Sequence, residues 1–172
     1  EMPQSAAGRT IMTTEPKFVP EQAVTVNIEG NASFAVRMID CVGYIVPSAL
    51  GYVENDMPRM VMTPWYDEPI PFNMAAEIGT KKVITEHSTI GLVVTTDGSI
   101  TDIARSEYEG AEERVITEMK NTGKPFAILL NCIDPAQEET LAIREMLGEK
   151  YGVPVLPVNC SSMSQEDIND IM

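Results

Sequence analysis

The sequence predicts an α/β fold: a doubly wound, mostly parallel sheet that also carries an antiparallel hairpin and a long insertion. Three apolar runs without alternation predict buried parallel strands, at 89–96, 124–131 and 153–159. Segments with helical spacing lie between these runs, and each ends at a glycine, which supplies the left-handed stop of a helix. This order favours right-handed crossovers and a ligand site at the carboxyl ends of the strands.

The first part of the chain predicts a hairpin followed by the insertion. Two β-rich runs, 24–29 and 33–39, are separated by a Gly-Asn pair that suits a tight turn with positive φ. The insertion covers 44–88, and several prolines break its front part. Its end, 72–87, favours a helix despite Gly79. We expect the insertion to have a hairpin and a helix of its own.

The helices that connect the strands are predicted over 106–123 and 135–152. Asp134 precedes Pro135, and this pair is typical of a helix N-cap followed by the first helical residue. The stretch 164–172 begins a further helix that is cut off.

Composition excludes several classes of protein. The length of 172 residues and the hydrophobic content of 44% suit one domain with a real core. The 12 basic and 26 acidic residues give a net charge of -14, which repels nucleic acid and anionic lipid. No apolar run reaches the ~18 residues of a membrane span, and the three cysteines form no C-x-x-C pair, so we expect a cytoplasmic protein with reduced thiols. Because the chain begins at Glu1, we expect it to be part of a longer protein.

The segment Asp40-Cys-Val-Gly43 follows an apolar strand, as the D-x-x-G motif of P-loop NTPases does. In that motif the aspartate holds the shell of a magnesium ion, and the glycine amide meets the terminal phosphate. A plain turn at the end of a strand explains the same letters. Upstream, Thr13 and Thr14 lie in a segment, 5–20, where such folds place a switch loop whose threonine ligates Mg²⁺. Plain extended chain is the alternative.

The carboxyl ends of two later strands carry further polar residues. Asn131 and Asp134 are spaced like the N-K-x-D loop that reads the base in GTPases, with Cys132 in place of the lysine. Cys160 and Ser161, after the last strand, occupy the place of a second base-binding loop. We expect these residues and Asp40 to lie along one edge of one sheet.

Other residues have two interpretations each. Arg105 is either an arginine finger or an ordinary arginine of a surface loop. His87 lacks the partners for a zinc site and is expected to cap a helix or make a surface contact. The cysteines follow strand ends, and small buried cysteines are the ordinary case, with a shared thiol or metal centre as the alternative. The methionines of 57–65 form either core or an adaptable contact surface.

Taken together, these segments resemble the translation-factor branch of the P-loop GTPases. Within it, the chain is most similar to the spore coat morphogenetic ATPases that act at stage IV of sporulation. The similarity runs over nearly all 172 residues and is carried by long stretches: "PQSAAGRTIMTTEPKFVPEQAV", "IDCVGYIVPSALGY", "RMVMTPWYDEPIPFNMAAEIGTKKVITEHSTIGLVVTTDGSI" and "LLNCIDP".

The resemblance implies a P-loop NTPase fold that binds ATP with Mg²⁺ and hydrolyses it. It implies that hydrolysis drives self-assembly of a basement layer on the outer forespore surface, in the mother-cell cytoplasm. By motif position, Thr13 and Thr14 match the switch threonines and Asp40 the magnesium aspartate, while Cys132 fits a preference for adenine. Partners implied are further copies of the protein, a small amphipathic peptide protein at the forespore membrane, and coat proteins.

One departure from the family pattern affects activity. The printed sequence contains no G-x-x-x-x-G-K-[ST] phosphate loop, so these 172 residues alone are expected to bind ATP poorly. The chain is therefore expected to be a partial ATPase domain. Two alternatives remain: a scaffold that keeps the fold without hydrolysis, and a true GTPase.

Overall fold

The computed structural model describes residues 16–28, 32–54 and 56–171. Their contacts divide the chain into two compact units. We call the described parts of 16–43 and 52–88 the hairpin unit, and 44–51 with 89–171 the sheet unit. Thr13 and Thr14 lie outside the described residues, as does most of the segment predicted to be a switch loop.

The hairpin unit begins with two long antiparallel strands, β1 (Lys17–Ile28) and β2 (Ala32–Asp40). The predicted hairpin is confirmed, and it starts earlier than expected, because residues 17–19 pair with the end of β2 instead of forming a loop. Short strands follow in two more hairpins, and their bounds are β3 (Val53–Glu54), β4 (Met57–Pro58), β5 (Met60–Thr63) and β6 (Tyr66–Pro71).

The helix predicted at the end of the insertion is α1 (Phe72–Lys82), which continues into a π-helical turn, Val83–His87. It follows Pro71, whose extended backbone marks the start of the helix. The helix buries one face, on which the buried residues are Phe72, Ala75, Ala76, Gly79 and Thr80. The 3.6-residue spacing of this face explains why the helix forms in spite of the glycine.

The sheet unit contains three parallel strands in the order β7 (Gly91–Thr96), β8 (Phe126–Asn131), β9 (Val155–Val158). The helices α2 (Arg105–Thr122) and α3 (Glu138–Tyr151) connect them, as predicted, and α4 (Gln165–Ile171) follows. Both long helices end at glycines with positive φ, Gly123 at 68° and Gly152 at 67°. The alternation of strands and helices is therefore confirmed.

Burial in this sheet differs from the expectation. Val93 and Ile128 face the helices and are buried, and side chains of α2 and α3 meet under the same face. On the opposite face Leu92 is 40% exposed and Val94 is 61% exposed. The prediction that these strands are covered on both faces is thus wrong for β7.

Candidate functional site

The hairpin unit presents the Asp40–Gly43 turn at the end of β2. Asp40 is the last residue of the strand and is exposed, and Gly43 has a φ of 78°, which other residues rarely adopt. A β-carbon added at Gly43 would meet no atom within 4 Å, so the turn needs glycine for its backbone and not for lack of room. The segment ends the strand, as the alternative interpretation of the motif predicted, and the Asp40 side chain is exposed to solvent.

A threonine of α1 holds this turn. The backbone N–H of Gly43 donates a hydrogen bond to the Thr80 hydroxyl at 3.1 Å, and Thr80 is only 2% exposed. Burial raises the pKa of the neighbouring Cys41 thiol, although a hydrogen bond from Thr80 acts in the opposite direction. Thr80 of α1 therefore forms hydrogen bonds with two residues of the turn, Cys41 and Gly43.

The residues at this turn fit a magnesium ion. Mg²⁺ in nucleotide sites uses one or two carboxylates and completes its octahedron with phosphate oxygens and water. Asp40 supplies one exposed carboxylate. The described residues contain no group of three His, Cys, Asp or Glu side chains suited to a metal. This donor set suits an ion that nucleotide phosphates also hold, and not a structural metal.

The sheet unit presents a second group of predicted residues, at the carboxyl ends of β8 and β9. The Asn131 side chain accepts a hydrogen bond from the Cys160 backbone N–H at 3.0 Å. Asn159 braces the same region by donating to the Ile133 carbonyl at 3.1 Å. Ser161 bonds locally, its hydroxyl lying 2.6 Å from Asn159 Oδ1. Asn131, Cys160 and Ser161 are thus brought together, with Asn131 bridging the two loops.

Asp134 does not play the capping role that the sequence predicted. Helix α3 begins at Glu138 with Gln137 as its N-cap, so Pro135 is not a helical residue. Asp134 instead accepts the N–H of Ala136 at 2.9 Å and forms a turn before the helix. Three residues separate Asp134 from the first residue of the helix, and the Asp134 side chain is exposed.

Cys132 is fully buried and contacts no solvent. Its sulfur lies 3.5 Å from the Val158 carbonyl oxygen. Burial raises the pKa of this thiol to about 11, and the nearby carboxylates of Asp97 and Asp134 add to the rise. The side chain that replaces the lysine of the base-reading loop is therefore part of the core between two strands.

A residue that sequence reasoning missed organises the end of β7. Asp97 accepts hydrogen bonds from the Ser99 hydroxyl at 2.6 Å and from the Thr140 hydroxyl at 2.7 Å. Ser99 in turn accepts the Ile133 N–H at 3.0 Å, which links the loop after β7 to the loop after β8. An aspartate directly before a glycine at the end of an apolar run was the available signal.

A cavity of about 290 Å³ opens at the same end of the sheet. Its lining is mixed, with apolar, hydroxyl and amide side chains contributed by Val94, Thr95, Thr96, Ile100, Thr101, Tyr108 and Asn131. Ligand sites of open α/β sheets occur at the carboxyl ends of strands, and this cavity has that position.

Arg105 lies in neither a surface loop nor an open site. It is the first residue of α2, its side chain is 15% exposed, and its Nη2 atom is 2.7 Å from Glu112. Its Nε and Nη1 atoms are buried without a hydrogen-bond partner among the described residues. The interpretation of Arg105 as an ordinary surface arginine is wrong, because the helix buries it against a carboxylate.

The other candidate residues, which are cysteines, a histidine and methionines, differ in their exposure to solvent. Cys41 is half-buried and Cys160 is exposed, so burial is not common to the cysteines. His87 is exposed at the end of the π-helical turn. The methionines at 57, 60 and 62 are 54–69% exposed, which favours the contact-surface interpretation over the core.

The prediction that all of these residues lie along one sheet edge is wrong for Asp40. Within the residues described, β2 pairs with β1 alone, whereas Asn131 ends a strand of the separate three-stranded sheet. The two groups also belong to different compact units. The Asp40–Gly43 turn and the Asn131–Cys160 loops are therefore separate candidate sites, one in each unit.

The sequence profile of one protein family, described as "Stage IV sporulation protein A, ATPase domain", matches residues 1–172. The chain belongs to this family. Stage IV sporulation protein A of Bacillus subtilis (strain 168) is 58% identical over the whole chain, and that of Clostridioides difficile (strain 630) is 57% identical. The protein of the same name from Bacillus anthracis is 53% identical. The chain spans 35% of the length of each of these relatives.

Membership makes the chain an ATPase domain of a sporulation protein family, which implies nucleotide binding. No solved structure matches the chain. In the part of the chain that the structure describes, none of the helices combines the length and the apolar character needed to cross a membrane.

Proposed function

We propose that the intact protein binds ATP with Mg²⁺ and hydrolyses it, with Asp40 in the shell of the metal ion. The observation that carries this proposal is the turn itself: an exposed carboxylate ends β2, and Gly43 follows with a φ of 78°. That geometry belongs to a chain that matches an ATPase domain over its full length. Switch threonines at Thr13 and Thr14 are part of the proposal.

The residues of each candidate site are assigned a role of their own. Asp40 would hold the hydrated metal ion, and the Gly43 N–H would be the donor for the terminal phosphate. With Mg²⁺ bound, the charge that develops on the phosphate oxygens is neutralised. Asn131 keeps the loop of Cys160 and Ser161 in place, and Asp134 has an exposed carboxylate that can accept a donor from the base.

Hydrolysis is proposed to be slow. Many NTPases carry a glutamine or histidine after the glycine of this motif to orient water, and here the residue is Tyr44. The Tyr44 hydroxyl is hydrogen-bonded to Glu118, and the ring lies 4.3 Å from the Arg114 guanidinium. A side chain engaged in this way does not position a water molecule. Slow turnover suits a conformational change made once per subunit.

We further propose that hydrolysis drives self-assembly into the basement layer of the spore coat, on the forespore surface in the mother cell. The partners proposed from family resemblance are further copies, an amphipathic peptide protein at the forespore membrane, and coat proteins. The exposed methionines of β4 and β5 offer an adaptable apolar surface for such contacts. Nucleic acid is not a proposed partner, since the net charge is -14.

The test uses the full-length protein and its Asp40→Asn variant. With Mg²⁺ and ATP, phosphate release by the variant is expected to fall by about a hundredfold or more, and assembly measured by sedimentation should fall with it. Asp67→Asn, an exposed aspartate of β6, is the matched control and should behave like the parent. Normal assembly by Asp40→Asn would contradict the proposal.

Two outcomes would select the alternatives. Assembly of the parent protein without any phosphate release would identify a non-hydrolysing scaffold. Equal competition by GTP and ATP would identify a GTPase, in spite of the missing lysine at Cys132.

A further inference from the structure

The Gly43 N–H is the donor that the proposed function assigns to the terminal phosphate, yet in this structure it is already engaged. It donates to Thr80 Oγ1 at 3.1 Å, across 37 residues of sequence. An N–H group has one hydrogen and forms one well-aligned hydrogen bond at a time. Thr80 and a phosphate oxygen therefore exclude each other as acceptors of this N–H.

Thr80 is a fixed acceptor. The Thr80 hydroxyl accepts the Gly43 N–H, and it also donates a hydrogen bond to the Cys41 sulfur, so both of its interactions are with this turn. The residue is 2% exposed, and the helix that carries it is anchored by the fully buried Phe72. Next to it, the β-carbon position of Gly79 is 3.3 Å from the Trp65 ring, so the helix packs closely at this level. The turn, and not the helix, is the partner free to rearrange.

We propose that Thr80 is a positioning residue of the Asp40–Gly43 turn that competes with the terminal phosphate for the Gly43 N–H. This inference rests on the proposed nucleotide site. A charged phosphate oxygen is a stronger acceptor than a neutral hydroxyl, so a nucleoside triphosphate displaces Thr80. A diphosphate lacks the competing oxygen and leaves the Thr80 bond intact. The insertion helix α1 is thereby coupled to the presence of the third phosphate.

The consequence for affinity is specific. Part of the binding free energy of a triphosphate is spent in breaking the bond between Thr80 and Gly43, whereas the binding of a diphosphate carries no such cost. Removal of the Thr80 hydroxyl should therefore strengthen triphosphate binding and leave diphosphate binding unchanged. A residue that only supported the fold would weaken both.

The experiment compares Thr80→Val with the parent in the full-length protein. Calorimetry measures the affinities for ADP and for the non-hydrolysable analogue AMPPNP, both with Mg²⁺. The ratio of AMPPNP affinity to ADP affinity is expected to rise about fivefold to tenfold in Thr80→Val, the equivalent of one net hydrogen bond. Thr80→Ser keeps the hydroxyl and should restore the ratio of the parent. Thr63→Val removes another buried hydroxyl of the hairpin unit, which accepts the Trp65 N–H, and should leave the ratio unchanged.

An unchanged ratio in a folded Thr80→Val variant would overturn the competition while leaving the proposed function intact. Failure of the parent to bind either nucleotide would overturn the proposed function and the competition with it. If Thr80→Val does not fold, a structure of the unmutated protein with AMPPNP and Mg²⁺ decides. The distance from Gly43 N to Thr80 Oγ1 should then exceed about 3.5 Å, and a retained hydrogen bond would refute the proposal.

Discussion

The Nη2 atom of Arg105 lies 2.7 Å from the Oε2 atom of Glu112, and the two side chains are 15% and 2% exposed. The Thr95 hydroxyl donates to the same carboxylate oxygen at 2.7 Å, and the Tyr151 hydroxyl lies 3.3 Å from the other. The Glu112 carboxylate thus connects Thr95 of β7, Arg105 at the start of α2 and Tyr151 at the end of α3. Such a pair is costly to disrupt on one side only, because the remaining charge stays buried.

Replacing Glu112 with glutamine is therefore expected to lower the free energy of unfolding by about 3–5 kcal/mol. The amide preserves the size of the side chain but leaves the Arg105 guanidinium without its counter-charge. Urea denaturation of the variant and the parent measures the difference. Glu113→Gln is the control, since Glu113 faces solvent and its pair with Lys150, at 3.8 Å, should contribute less than about 1 kcal/mol. Equal, small effects of both substitutions would contradict the expectation.

Asp97 gives a prediction about acid stability. Burial alone would raise the pKa of its carboxyl, but hydrogen bonds from Ser99 and Thr140 outweigh this and hold the pKa below its ordinary value of 3.8. A carboxyl whose pKa is depressed by folding stabilises the protein above the unfolded pKa, and this contribution is lost as the pH falls through the folded value.

We therefore expect Asp97→Asn to melt at a lower temperature than the parent at pH 7, with the gap closing as the pH falls below 3.8. Thermal melts over a pH series measure the gap. Asp67→Asn, at an exposed position of β6, serves as the reference. A gap that persists unchanged at the lowest pH would show that Asp97 stabilises the loop by shape and not by charge.

Cysteine labelling tests the burial of Cys132. With a pKa of about 11, only about one Cys132 thiol in a thousand is a thiolate at pH 8, and the side chain is also inaccessible. Iodoacetamide should modify the exposed Cys160 first and Cys132 last, as read by mass spectrometry of the peptides. In urea the difference between the two should disappear. Comparable rates in the folded protein would mean that Cys132 faces a ligand site after all.

Two glycines of the sheet unit should respond to alanine in opposite ways. Gly98 has a φ of 95°, and a β-carbon there would lie 3.2 Å from the Arg105 backbone nitrogen at the start of α2. Gly98→Ala is expected to cost about 1–3 kcal/mol in unfolding free energy. Gly110 is an exposed position inside α2 with nothing within 4 Å, so Gly110→Ala should stabilise the protein by about 0.5–1 kcal/mol. Chemical denaturation of both variants measures the signs, and the same sign for both would contradict this account.

The elements that the sequence predicted well are those whose causes are local. The stops at Gly123 and Gly152 follow from the backbone of glycine, and the strands β7, β8 and β9 follow from their apolar runs. The uncovered face of β7 was missed, because an apolar run shows what a strand can bury and not what covers it. The helix start at Glu138 was missed because a turn that is stabilised by Asp134 competes with the cap.

The candidate site shows the same division between local and distant causes. The D-x-x-G motif located Asp40 and Gly43, but no pattern indicated that Thr80 is the partner of Gly43, since the two residues are 37 positions apart. Glu112 lies in a helix with many charged residues, and such a pattern predicts a solvent-exposed side chain. Its burial depends on its contacts with Arg105, Thr95 and Tyr151. Contacts of this kind arise from packing and have no signature in the order of residues.

The methionines at 57, 60 and 62 also determine where chemical damage would begin. These residues are 54–69% exposed, whereas Met119 in the core is 2% exposed. Peroxide reaches exposed sulfur first, and each sulfoxide turns an apolar tip into a polar one. In an oxidising environment, the surface formed by β4 and β5 would become more polar, while the packing around Met119 stayed intact.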